Sequence, residues 1–142
     1  MGIPGVGPVT SLAFKAAIDA PQRFRRSKTV GAHLGLTPRR IQSGDSIDFE
    51  GHISRCGDAE VRAALYEAAG VLLTRSRAPS ALKAWGLRLA RRRGYKRGVV
   101  AVARKLAVIM HRMWVDRTDF HFAAVRDGNA AAVLGDSIAA AV

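Results

Sequence analysis

The sequence predicts a small, mostly α-helical domain, and three observations carry that expectation. At 142 residues the chain has the size of one domain, with room for a single modest core. Hydrophobic residues make up 49% of it but aromatic ones only 6%. Much of the apolar share is Ala and Val, which suits closely packed slender helices better than a sandwich or barrel. Finally, apolar residues recur at intervals of three and four over several segments, the spacing of one helix face.

The elements follow in order. The chain opens Ile3-Pro4-Gly5-Val6-Gly7-Pro8, where two glycines one residue apart permit positive φ and Pro8 suits a first helical turn. Residues 9–18 read as a short helix with Val9, Leu12, Ala13, Ala16 and Ala17 at apolar positions, ended by Asp19-Ala20-Pro21. A basic turn, Arg23-Phe24-Arg25-Arg26, leads to Ser27, which is predicted to cap a second short helix stopping near Gly35. Residues 36–57 lack helical periodicity and partly alternate, so a loop with at most a small hairpin is expected. Asp58 is placed as the cap of a helix over 59–75 that buries Val61, Leu65, Ala68, Ala69 and Leu72. Ser80 caps a further helix over 81–92, closed by Gly94. Val99, Val102, Ala103, Leu106, Ile109, Met110 and Met113 mark the last, over 99–115. Residues 1–117 thus form the domain, and 118–142 are expected to be a weak helix or a disordered tail.

Composition narrows the function. Lys and Arg number 23 against 11 Asp and Glu, a net charge of +12 and an isoelectric point near 11.4, which points to a polyanionic partner, nucleic acid first. The single cysteine, Cys56, excludes an internal disulfide and a multi-cysteine metal site. No apolar run reaches about 18 residues and the N-terminus lacks a signal-peptide pattern, so a cytoplasmic protein without a membrane partner is expected.

Three constellations carry chemistry. Between Glu67 and Asp116 there is no acidic residue, while twelve Lys and Arg fall from Arg75 to Arg112. So many like charges repel one another unless a phosphate backbone neutralises them, and Arg91, Arg92, Arg93, Lys96 and Arg97 form the densest group. Only Trp85 and Tyr95 interleave with them, so base stacking on a single-strand platform is only a weak expectation. Second, Gly5 and Gly7 resemble the G-x-G hairpin of helix-hairpin-helix motifs, whose outward N–H groups at a helix start seat a phosphate without reading sequence. Third, Ser43 beside Gly44 has an accessible hydroxyl, with Arg39, Arg40 and Arg55 near in sequence to offset charge on an attacked phosphate. By itself a Ser-Gly pair is most often a plain turn. The four histidines are scattered and read as structural, Cys56 as an inert small hydrophobe, and Asp45, Asp48 and Glu50 as a solvated trio, so no metal is expected in this chain.

Four blocks in order resemble a known family: Ile3 to Pro8; Arg23-Phe24 with His33-Leu34-Gly35-Leu36-Thr37-Pro38; Ser43-Gly44; and Gly51-His52-Ile53-Ser54-Arg55-Cys56-Gly57-Asp58 running to Arg62-Ala63-Ala64-Leu65. The chain is similar over roughly residues 2–115 to the C-terminal domain of the IS110/IS116/IS902-type insertion-sequence transposases, relatives of the Piv invertases. The resemblance implies a bacterial, nucleoid-associated protein that recombines DNA. It implies Ser43 as the catalytic serine, with Ser54 as the alternative, acting with an N-terminal DEDD domain that holds Mg²⁺. The sequence begins at the hairpin without that domain, so it reads as a truncated copy that binds DNA and cannot transpose unaided. It departs from the family pattern in carrying Asp45, Asp48 and Glu50 where a basic, glycine-rich run is usual, and Cys56 where a basic residue is common. A structured guide RNA and a homo-oligomer stay open as further partners. The alternatives are a non-enzymatic helix-hairpin-helix DNA-binding protein and a basic RNA-binding or ribosome-associated protein.

Overall fold

Five α-helices and one two-stranded sheet are found among the described residues of the computed structural model, which are 2–41, 49–55 and 57–120. The order is α1 (Pro8–Ile18), a 3-10 turn (Pro21–Arg23), α2 (Lys28–His33), β1 (Pro38–Ile41), β2 (Phe49–Ile53), α3 (Ala59–Thr74), α4 (Ala81–Arg93) and α5 (Tyr95–Asp116). The expectation of a mostly helical domain with a short central hairpin is met. The tail expected over 118–142 lies outside the described residues from 121 onward.

The middle helices form where local chemistry says they should. The Asp58 carboxylate accepts from the N–H groups of Glu60 at 2.8 Å and Val61 at 3.2 Å, satisfying two donors at the start of α3. The Ser80 hydroxyl accepts from the Lys83 N–H at 3.1 Å and starts α4 in the same way. The predicted stripe of α3 is buried in full, together with Leu73.

The last helix is longer than expected. Gly94, at φ +97°, both closes α4 and precedes α5, so α5 begins at Tyr95 rather than near Val99. It packs against α4, α3, α2 and the 3-10 turn, and from Gly98 to Met113 it is buried on most sides. The last two helices meet closely at Gly98, where a Cβ would lie 2.8 Å from Ala90 Cβ and 2.9 Å from Ala90 Cα. Any side chain there would force α4 and α5 apart.

Two local expectations are corrected. Val9 and Leu12, expected inside, are 79% and 67% exposed, and α1 instead buries Phe14 and Ile18. Its many alanines let two different faces satisfy the same spacing. Ser27 makes no cap to α2; its hydroxyl is held by the ring of His111, 84 residues further on.

β1 and β2 pair antiparallel, with Pro38 opposite Ile53, Arg40 opposite Glu50 and Ile41 opposite Phe49, and with an irregularity between Pro38 and Arg40. The pairing continues at the base of the hairpin, where the N–H groups of Ser54 and Arg55 donate to Thr37 O and Gly35 O.

Candidate nucleic-acid interface

The junction of α4 and α5 gathers the densest charge. Residues 91–97 are exposed without interruption and include Arg91, Arg92, Arg93, Lys96 and Arg97. The three arginines close α4, where cations suit the negative end of the helix dipole. Lys96 and Arg97 sit in the first turn of α5, which has no acidic residue. Cations there oppose the positive end of the dipole, an arrangement that an external anion relieves. The five cations of this densest group therefore lie on one solvent-facing corner.

Not all twelve cations of the acid-free stretch face solvent. Lys105 is 4% exposed, with its ammonium 3.8 Å from the centre of the Trp85 ring. Burial, and secondarily the charge of Arg104, lower its pKa from 10.5 to about 8. Arg104 is half-buried with its side chain against Gly31, and the Lys83 ammonium donates to Ser76 O. The count of twelve cations in the sequence does not separate these three from the solvent-facing ones. The available signal was position: Lys105 stands three residues after Val102 and four before Ile109, on the helix's apolar side.

The opening turn divides the roles of its two glycines. The Val6 N–H donates to Ile3 O at 3.1 Å, closing a turn with Pro4 at its second position and Gly5, at φ +86°, at its third. A Cβ on Gly5 would lie 2.5 Å from Ala68 O, so Gly5 is fixed against α3 and the turn is anchored by the buried Ile3 and Val6. Gly7 is different: it is exposed, has φ −88°, and a Cβ there would meet nothing within 4 Å. Of the two glycines that permit positive φ, only Gly5 uses it. Gly7 marks the open end of α1, where the first-turn N–H groups have no intrahelical partner. Among the described residues the turn leads into α1 with no helix before it.

Of the two serine candidates only Ser54 is among the described residues. Ser43 and Gly44, with Asp45 and Asp48, fall in sequence between the paired Ile41 and Phe49 and lie outside the described residues. Ser54 is half-buried at the hairpin base, five residues or about 16 Å along an extended chain from that pair. Arg55 beside it is exposed at φ +56°, an unusual conformation for a non-glycine residue, held by its N–H bond to Gly35 O. Arg39 and Arg40 are on β1. Among the described residues no group of three or more His, Cys, Asp or Glu is placed to hold a metal ion.

One histidine does structural work that the sequence left unspecified. His111 is 1% exposed, its Nδ1 lying 2.8 Å from Ser27 Oγ and its Nε2 2.8 Å from Pro21 O. The Phe24 ring meets it edge to face at 5.7 Å. These contacts strap the segment bearing Arg25, Arg26 and Lys28 onto α5, and between the two lies an open cleft of about 460 Å³.

As a class, this is a small helical domain with five cations and no acid on one exposed corner. The sequence matches the transposase IS116/IS110/IS902 family over residues 1–85, and the chain belongs to that family. It is 37% identical over 109 residues to the transposase for insertion sequence element IS1111A of Coxiella burnetii, covering 76% of this chain and 30% of that protein. It is 32% identical over 109 residues to the pilin gene-inverting protein of Moraxella bovis, covering 77% of this chain and 34% of that one. A transposase described as y4pF/y4sB in Sinorhizobium fredii is 32% identical over 113 residues, 78% of this chain and 29% of its own. The chain thus spans about a third of the length of these curated relatives. No helix among the described residues is long and apolar enough to cross a membrane.

Proposed function

We propose that this chain is a DNA-binding domain of an insertion-sequence transposase, which grips the phosphate backbone at the α4–α5 corner while sharing the chemistry of recombination with a separate metal-bearing domain. The observation that carries the reading is the uninterrupted exposed run 91–97, with five cations and no acid. Backbone neutralisation supplies affinity without base reading. If about five phosphates are neutralised, log affinity falls against log salt with a slope of about −4 to −5. Changing Arg91, Arg92 and Arg93 together to Ala weakens binding to all duplexes about equally; loss for one sequence alone would show base reading instead. Affinity that does not respond to salt would end the reading.

The chemical role rests on the family resemblance. The Ser43 hydroxyl attacks a DNA phosphate, so that a serine O–P bond replaces the P–O bond to one deoxyribose, whose oxygen leaves as a free hydroxyl with a proton equivalent to the one the serine gives up; one or more of Arg39, Arg40 and Arg55 offset the charge that develops. A serine hydroxyl needs a base or metal to activate it, and the partner DEDD domain with its Mg²⁺ supplies that help. Strand transfer is therefore expected only when a matching DEDD domain, Mg²⁺ and any required RNA are added. In that mixture Ser43→Ala abolishes the covalent protein–DNA adduct and leaves duplex binding intact. An adduct lost only with Ser54→Ala moves the nucleophile to Ser54, and one that survives both leaves a DNA-binding protein without serine chemistry.

A further inference from the structure

The α4–α5 corner is one of two basic regions that α5 connects. The other is the cleft at the opposite end of this helix, where Arg25, Arg26 and Lys28 form one wall and Arg112 stands on the other. We propose that this cleft is a second seat for the phosphate backbone of duplex DNA, separate from the corner. The inference rests on the reading of the chain as a DNA-binding domain.

Three features of the cleft support it. First, charge: four cations meet a single carboxylate, Asp116, and Arg25, Arg26, Lys28 and Arg112 are all exposed. Second, organisation: the bonds from His111 to Ser27 Oγ and Pro21 O fix the backbone that bears Arg25 and Arg26. Cations on an ordered backbone lose less freedom when they meet a ligand than cations on a free loop. Third, distance: Arg97 and Arg112 are fifteen residues apart on one continuous helix, so the two regions stand about 22 Å apart along its axis. That is about six or seven base pairs of duplex, too far for one phosphate contact to serve both regions. The domain accordingly meets either one duplex lying along α5 or two duplexes, one at each end. Its phosphate is that of a polymer rather than a small anion, because the cleft is open and its cations are spread over both walls.

The test compares the wild-type chain with a cleft variant, Arg25→Glu with Arg26→Glu, and a corner variant, Arg92→Glu with Arg93→Glu, on a labelled duplex of about 30 base pairs over a range of salt. Each variant is expected to bind about tenfold or more weakly at low salt and to lower the salt slope by about 2. Sites this far apart act independently, so the losses multiply in the combined variant. Arg25→Lys with Arg26→Lys keeps most of the affinity. A measurement that needs no variant accompanies it: duplex should protect Arg25 and Arg26 of the wild-type chain from phenylglyoxal, as it protects Arg92 and Arg93. If the corner variant loses binding while the cleft variant does not, or if only corner arginines are protected, the cleft proposal is overturned and the DNA-binding reading stands. Weakened binding to a structured RNA but not to duplex would assign the cleft to RNA and overturn it equally. Absence of duplex binding by the wild-type chain would remove the reading on which it rests.

Discussion

The corner between α4 and α5 and the cleft beside α2 carry similar charge and are built in opposite ways. At the corner seven consecutive residues are exposed, and the close contact of Gly98 with Ala90 holds the two helices beneath them. At the cleft, Arg25 and Arg26 ride on a segment whose polar tie to α5 is the buried His111, with the Phe24 ring packed beside it. One region is set by helix packing and the other by a polar bond network. The two should therefore fail separately: helix repacking alters the corner, and loss of one imidazole loosens the cleft.

The largest expected effect tests that separation at the cleft. His111→Ala removes a buried ring and leaves Ser27 Oγ and Pro21 O without this partner, a loss of about 2–4 kcal/mol in urea unfolding. In a variant that stays folded, hydrogen exchange should rise in residues 21–28 more than at the corner. Equal loosening at both ends would show one packed unit and remove the distinction.

Next in size, Gly98→Val crowds Ala90 and should cost about 1–3 kcal/mol by overpacking. Its effect on duplex binding should come through the corner, with the cleft arginines still protected from modification.

Lys105 lies between the two regions and gives a pH-dependent prediction. Its pKa is about 8 in the folded chain against 10.5 ordinarily, so between these values the unfolded chain holds the proton and the folded chain does not. Lys105 therefore makes stability rise with pH across about 8 to 10.5, whereas below 8 both states are protonated and its penalty is constant. Lys105→Met keeps an apolar stem over Trp85 without the charge. It should remove this increment and leave the protein at least as stable at pH 7, as thermal melts of both chains across the range would show. A wild-type increment unchanged in the variant would place its origin elsewhere.

The smallest effect on stability is expected from the corner itself. Arg91, Arg92 and Arg93 changed together to Ala should alter unfolding free energy by no more than about 0.5 kcal/mol, because exposed cations away from packing contribute little. A larger loss would mean that the corner is held by its arginines after all.

What the sequence made legible was local. Asp58 and Ser80 cap their helices as expected because the cap and its N–H partners lie within three residues. The stripe of α3 was legible because its large apolar residues admit one face only. On α1 alanines blurred the choice, and Val9 and Leu12 were assigned inward. Ser27 was read as a cap because residue type suggests a local partner, whereas its partner is on α5. The corner cations could be read from the acid-free run. The cleft could not, since its walls come from opposite parts of the chain and meet only once α5 is packed.

The burial of α5 also has a consequence for how the domain lets go of a ligand. From Gly98 to Met113 this helix lies inside other elements on most sides, and backbone amides so enclosed exchange with solvent chiefly when the whole domain opens. Both basic regions are attached to what should be the slowest-exchanging segment of the chain. Heating or denaturant should therefore leave the two cationic ends joined by one rigid helix up to global unfolding, even where the 21–28 segment opens locally before it.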